Sequence, residues 1–480
     1  MDYFTVVLIL LIYYIRPQDW VPGLIGVGIV SPVMIVAIVT MIMRAKNEGR
    51  KLQFFRSPLD FGMAAFFALI VVTHPDPSGA FKGALPLFAF YFVTVQALDS
   101  VERLRKYLMF WLIAVTTLAL FGLLSKFGID PTGAHAMTVA NKGRLALGTW
   151  MHNNPNALGH TVIIIVPLAY FLFFWKQSIS RKAVAIALWL IAFEVVQLTE
   201  SKGAVVSGFG VLVLAYILGK SKLVQILVLM VAFAGGGAVM SLMPRMSEMS
   251  NLRSDEGVQG RLLAWEQART ASRNSFTGQG WKTFKANIRW QKMTLPKATH
   301  SGYVQVGAEL GPVGLTVYVG LFWLGLRSLL RPGRLEGDEE RCRRVLFALL
   351  VGFALSNWMI DRAYHMELFL FMAGISAFHR LQVSKSSNVD AAEPVHVPVG
   401  MATSLSRLWR PQPVLAFSGS PSLGWMVPHP PGLGGGTTAS RHAVSITQTS
   451  SSRPSLLDVA LACAGAYAVF GIWDYILKNL

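Results

Sequence analysis

Three residues in this 480-residue chain have side chains suited to a group transfer: His300, Arg261 and Lys202. His300 opens the stretch THSGYVQVGAELGPVGL (299–315), just ahead of a strongly apolar run. An imidazole titrates near pH 6.5, so it can take a proton from an attacking hydroxyl at neutrality. Arg261, in VQGRLLAWEQA, presents a planar guanidinium fork that matches phosphate geometry. Lys202, in LTESKGAVVSG, is a second cation, with Gly203 beside it to allow a tight turn. Tyr303 follows His300 by one helical turn, and Glu309 lies further along the same stretch. Cations suited to an anionic phosphate group and an imidazole suited to proton transfer are the chemistry these residue types offer.

Each of these residues also has a plainer reading. Lys202 suits a snorkelling lysine at a helix end. Arg261 suits a loop arginine paired with Glu256, His300 an interfacial cap, and Glu309 a partner for a basic residue in the bundle. A fourth polar stretch, TWMHNNPNALGH (149–160), reads structurally, with Asn154 as an N-cap and Pro155 at the first helical position. His152 and His160 lack the spacing of a local metal pair. No phosphate-cradling glycine loop of the nucleotide type and no Ser/His/Asp signature is evident.

The elements that must position these residues follow from composition. The chain is 53% hydrophobic and 14% charged, against about 25% charged in ordinary soluble domains. Its apolar residues come in runs long enough to span a bilayer. The expected fold is therefore all-α, a polytopic integral membrane protein. The formal charge of +18 does not indicate nucleic acid, because Lys and Arg sit in short clusters between apolar runs, as anchors do. Two cysteines far apart, Cys342 and Cys463, indicate neither a disulfide framework nor a metal cluster. The N-terminal MDYFTVVLILLIYYIRPQDW lacks a basic start and a small-residue cleavage site, and reads as a retained first helix.

About twelve apolar runs lie between residues 3 and 378. The basic clusters Arg44–Arg56, Lys176–Lys182, Lys220–Lys222 and Arg327–Arg344 all follow even-numbered runs, which places them together in the cytoplasm. The opposite, periplasmic face receives 125–156, the turn SNWMIDRAYHMEL and a large loop at about 244–300. Loops this long are usually functional or disordered. Within it, GRLLAWEQARTA has helical periodicity, with Leu262, Leu263, Trp265 and Ala268 available as an apolar stripe. Residues 1–380 thus form one membrane domain. Residues 381–455 are rich in Ser, Pro and Gly and read as a disordered cytoplasmic tail. The last apolar segment, within 456–480, fits either a thirteenth helix or a membrane-surface segment.

Taken together, NPNALGHTVIIIVPL, TESKGA, GRLLAWEQA and THSGYVQVGAELGPVG resemble, in their order, motifs of the O-antigen ligase family. The resemblance covers roughly residues 1–378 and leaves out the tail and the final segment. It implies a membrane glycosyltransferase, independent of metal and cofactor, moving a glycan from an undecaprenyl-diphosphate carrier to an acceptor hydroxyl such as that of lipid A-core. The work would be done on the periplasmic side of the bacterial inner membrane. By position, Arg261 would bind the donor diphosphate and His300 would act on the acceptor hydroxyl. Lys202 stands where the family carries arginine, which keeps the charge and loses the bidentate fork. Tyr303 and Glu309 would line the substrate site. The nearest alternatives are an O-antigen polymerase and a protein O-oligosaccharyltransferase. A transporter of an anion or a lipid-linked sugar is the alternative of another class, hinted at by Glu194 and the glycines at 235–237 inside apolar runs.

Overall fold

The computed structural model describes residues 2–218, 220–231, 256–290, 293–330, 335–392 and 453–480. Among these the regular structure is helical except for one antiparallel ribbon, which pairs Ala286–Trp290 with Met293–Lys297. Seven of the described helices are long and apolar enough to cross a membrane: Val30–Asn47, Pro77–Ala97, Val101–Ser125, Pro155–Phe174, Ile179–Thr199, Gly311–Leu329 and Leu456–Asn479. Shorter apolar helices run over Pro58–Val72, Lys202–Ile217 and Lys222–Val231. Asp2–Ile15, Gly337–Ser356 and Met366–Ala392 are further helices among the described residues. This is an all-α membrane protein. Gly337–Ser356 falls outside the apolar set because its first two turns, GDEERCRR, are charged. The glycines at 235–237 and most of the tail lie outside the described residues.

Several polar groups inside the bundle are paired, as an apolar surround favours. Trp111 donates to the Tyr14 hydroxyl, which donates to Glu367, and Glu367 takes the Arg362 guanidinium. Arg362 also donates to Ala157 O and Thr161 Oγ1, tying three distant segments together. At the basic end, Arg44 bonds Asp2 and Asp99, while Arg343 and Arg344 share Glu340.

The 299–315 stretch is not the start of one long helix. It forms a short helix, Gly302–Glu309, then a break, then the long helix Gly311–Leu329. Gly311 sits at φ +64° in the break, and a β-carbon there would stand 2.4 Å from Phe276 O. The loop chain at 275–280 therefore wedges between the two helices, with Gly280 N donating to Glu309 O.

The C-terminal helix Leu456–Asn479 packs lengthwise and antiparallel on Gly311–Leu329. Asp458 meets Trp323 and Arg327 at one end, Ala462 lies against Gly320, and Trp473 reaches Gly307 at the other end.

Candidate active site

The site is organised by the turn at 357–365, which joins Gly337–Ser356 to Met366–Ala392. Gly302 N donates to both Asn357 O (2.8 Å) and Ile360 O (3.0 Å), and the Ser301 hydroxyl donates to Asn357 O. Gly302 is needed for this approach, since a β-carbon would stand 2.0 Å from Asn357 Oδ1. The preceding residue, His300, is held at φ 50°, a left-handed conformation that costs a non-glycine residue about 1–2 kcal/mol. Such strain persists only where the surroundings over-determine it. Here they do: Thr299 and Ser301 are fully buried on either side, and the Trp265 indole donates to Thr299 O at 2.7 Å.

His300 Nδ1 faces Asp361 Oδ1 at 3.9 Å, and the ring remains 25% exposed. Burial, with Arg261 and Lys297 nearby, pushes the imidazole down to about 4. The ring is therefore neutral at pH 7 and keeps a lone pair for an incoming proton. Burial raises the Asp361 carboxyl, opposed by its own backbone N–H and by Arg362 and Arg261.

Arg261 lies in the loop helix Glu256–Asn274. The buried face of that helix is Ala264, Trp265, Ala268, Ala271 and Ser272. This corrects the sequence expectation at Leu263, which is 44% exposed, while Leu262 is half-buried beside the stripe. The true stripe begins at 261 and continues at i+3, i+4 and i+7, which turns Arg261 toward the bundle. There its charge acts on His300, Asp361 and His160. Lys297, at the end of the ribbon, lies with its Nζ against Gly260 and so adds a second cation beside Arg261.

Lys202 is the first residue of its helix, capped by Ser201, whose hydroxyl accepts from Ala204 N. The turn before it is made by Glu200 at φ 47°, not by Gly203. Gly203 serves close approach instead: a β-carbon would stand 3.0 Å from both His160 Nε2 and Met359 Cβ. Met359 belongs to the same turn that carries Asp361. The helix that Lys202 opens thus packs against this turn through Gly203 at Met359, while the 300–302 chain meets it at Asn357 and Ile360. Directly below Lys202, an apolar groove opens between helices, walled by Val166, Trp189, Phe193, Val205 and Phe209. The NPN start folds as read, with Asn154 Oδ1 accepting from Asn156 N and Pro155 in the first turn.

Tyr303 and Glu309 are placed elsewhere. The Tyr303 hydroxyl donates to Ala354 O at 3.0 Å, and its ring packs among Tyr318, Phe322 and Trp358. Glu309 is 1% exposed at the far end of the short helix, with Gln305, Tyr364 and Lys282 as its polar neighbours. Burial pushes its carboxyl up to about 7.

Asp361 and Lys297 escaped the sequence reading. Asp361 had a signal in the adjacent Asp–Arg pair of the otherwise apolar SNWMIDRAYHMEL turn. Lys297 had none, being one lysine among several in a mixed loop.

Fold and site together define a multi-pass helical membrane protein with cations and a neutral imidazole gathered at one face of the bundle. Residues 186–319 match the sequence model of a family described as O-antigen ligase, which supports placing the chain in an O-antigen ligase family. The match takes in Lys202, Arg261, His300, Tyr303 and Glu309. None of the curated proteins compared with the chain matches it.

Proposed function

We propose that the protein transfers a glycan from an undecaprenyl-diphosphate carrier to an acceptor hydroxyl at the periplasmic face of the bacterial inner membrane, with ligation of O-antigen to lipid A-core as the leading reaction. The observation that carries this reading is the gathering of His300, Asp361 and Arg261, from three separate segments, around one turn. The acceptor oxygen attacks the anomeric carbon as the bond from that carbon to the diphosphate oxygen breaks. The hydroxyl proton passes to His300, while Asp361 orients the ring and steadies the imidazolium that forms. The electron pair of the broken bond goes to the diphosphate, where Arg261, Lys297 and Lys202 meet the new charge. These cations can serve a diphosphate leaving group without a metal ion. The groove below Lys202 has the apolar lining that a polyprenyl tail requires. Tyr303 and Glu309 act in this scheme by holding the short helix that presents His300.

The test is a deletion strain complemented with the wild-type gene. Ligase function predicts that deletion removes all polymer from lipid A-core and that complementation restores it. Single repeat units remaining on the core would identify a polymerase, and loss of glycan from proteins alone a protein glycosyltransferase. Substrate flux in proteoliposomes with no glycosylated product would sink the transferase reading in favour of a transporter.

A further inference from the structure

The last helix lies outside the family match, yet its far end is built into the site. Trp473 is fully buried in a small core shared with Trp265, Ala268 and Ala271 of the loop helix and Val304 and Ala308 of the short helix. One residue on, Asp474 receives the Arg269 guanidinium in two parallel bonds, 2.7 Å from Nε and 2.9 Å from Nη2. Arg273 donates to the same carboxylate at 3.3 Å. The Arg269 guanidinium also lies over the rings of Phe470 (4.4 Å) and Trp473 (5.6 Å). Fork-on-carboxylate geometry with the cation on aromatic faces fixes both the position and the rotation of a helix, which a single lysine contact would not do. The opposite end of the C-terminal helix is pinned by Asp458 to Trp323 and Arg327. A rigid rod anchored at both ends therefore grips the loop helix at 269, about 12 Å from Arg261 along the same helix.

We propose that the C-terminal helix is a positioning element of the active site, with Asp474 setting the placement of the loop helix and hence of Arg261. The inference rests on the transferase reading for what Arg261 binds, but the grip itself does not. Asp474 touches no reacting atom and acts only through the loop helix.

The test uses the full chain in lipid nanodiscs, with two readouts: hydrogen exchange over the backbone of 258–274, and the affinity for undecaprenyl diphosphate. In Asp474→Asn the exchange protection of 258–274 falls about tenfold and the dissociation constant rises several-fold. Asp474→Glu, which keeps the charge, restores both to within about twofold. Arg261→Ala raises the dissociation constant and leaves the exchange unchanged. Unchanged protection in Asp474→Asn overturns the grip. Lost protection with unchanged affinity, or no rescue by Asp474→Glu, overturns the positioning role. A wild-type protein with no affinity for undecaprenyl diphosphate refutes the donor reading, and the exchange arm then decides the grip alone.

Discussion

The two ends of the short helix Gly302–Glu309 carry the two ionisable groups that stood out in this stretch, and burial treats them in opposite ways. At the His300 end, burial and two neighbouring cations hold the imidazole neutral, with a partly open face and a carboxylate behind it. At the Glu309 end, burial pushes the carboxyl up to about 7, so that it is about half protonated at neutrality, sealed among Gln305, Tyr364 and the 278–282 chain. One end keeps a free lone pair beside two cations. The other is a closed lock between a loop and a helix. Proximity in sequence on one helix does not make one site; both ends have cationic neighbours, and access separates them.

The sharpest way to break this contrast is by substitution at both ends. His300→Ala and Arg261→Ala are each expected to lower glycan transfer at least about 100-fold, with unchanged amounts of protein in the membrane. Glu309→Gln, which keeps the protonated shape, should stay within about threefold. Equal losses at both ends, measured with purified protein and a lipid-linked glycan, would show that the two groups work as one site.

A smaller loss is expected at Asp361→Asn, about tenfold to 100-fold, because the ring stays in place while its orienting charge is gone. An Asp361→Asn variant with wild-type rates would remove Asp361 from the scheme.

Protonation offers a finer contrast. His300 works as the neutral form and is pushed down to about 4, so kcat/KM should hold through pH 5–7 and fall as pH drops through about 4. An acid limb near the ordinary 6.5, absent in no-donor controls of stability, would contradict the burial account. Glu309 has the opposite sign. Its folded carboxyl is raised from 4.5 to about 7, so it favours the fold below pH 4.5, and that contribution fades as pH rises through about 7. Thermal midpoints of Glu309→Gln should therefore vary less than wild type between pH 5 and 8.

The smallest effect is expected at Lys202→Arg, which keeps the cation at its capped helix start and should retain transfer within a few-fold. Lys202→Ala should lose clearly more, since the cation itself is gone. Equal activity in both would leave Arg261 and Lys297 as the cations that matter.

Much of the architecture was legible because it is written in local patterns. Runs of apolar residues, the Asn154–Pro155 helix start and the helical period of GRLLAWEQARTA need only neighbours along the chain to be read. The stripe of that helix was misjudged at Leu263, which looks like a core residue on hydrophobicity alone and is exposed. In the fold, alanines and Trp265 give the close contact with the short helix and the last helix. Gly203 was assigned to a turn for a similar reason: a glycine's use is decided by what approaches it, here His160 and Met359.

The amino-acid sequence by itself determined the membrane class, the loop helix and the chemical types available, since hydropathy, helical period and side-chain chemistry are properties of adjacent residues. The tertiary structure alone decided which of those groups meet. His300 faces a carboxylate 61 positions away, Gly203 beside Lys202 backs onto the same turn, and Asp474 holds a helix 205 positions before it. Burial, which sets whether His300 can accept a proton, is likewise a sum over segments from the whole chain, and no local pattern carries it.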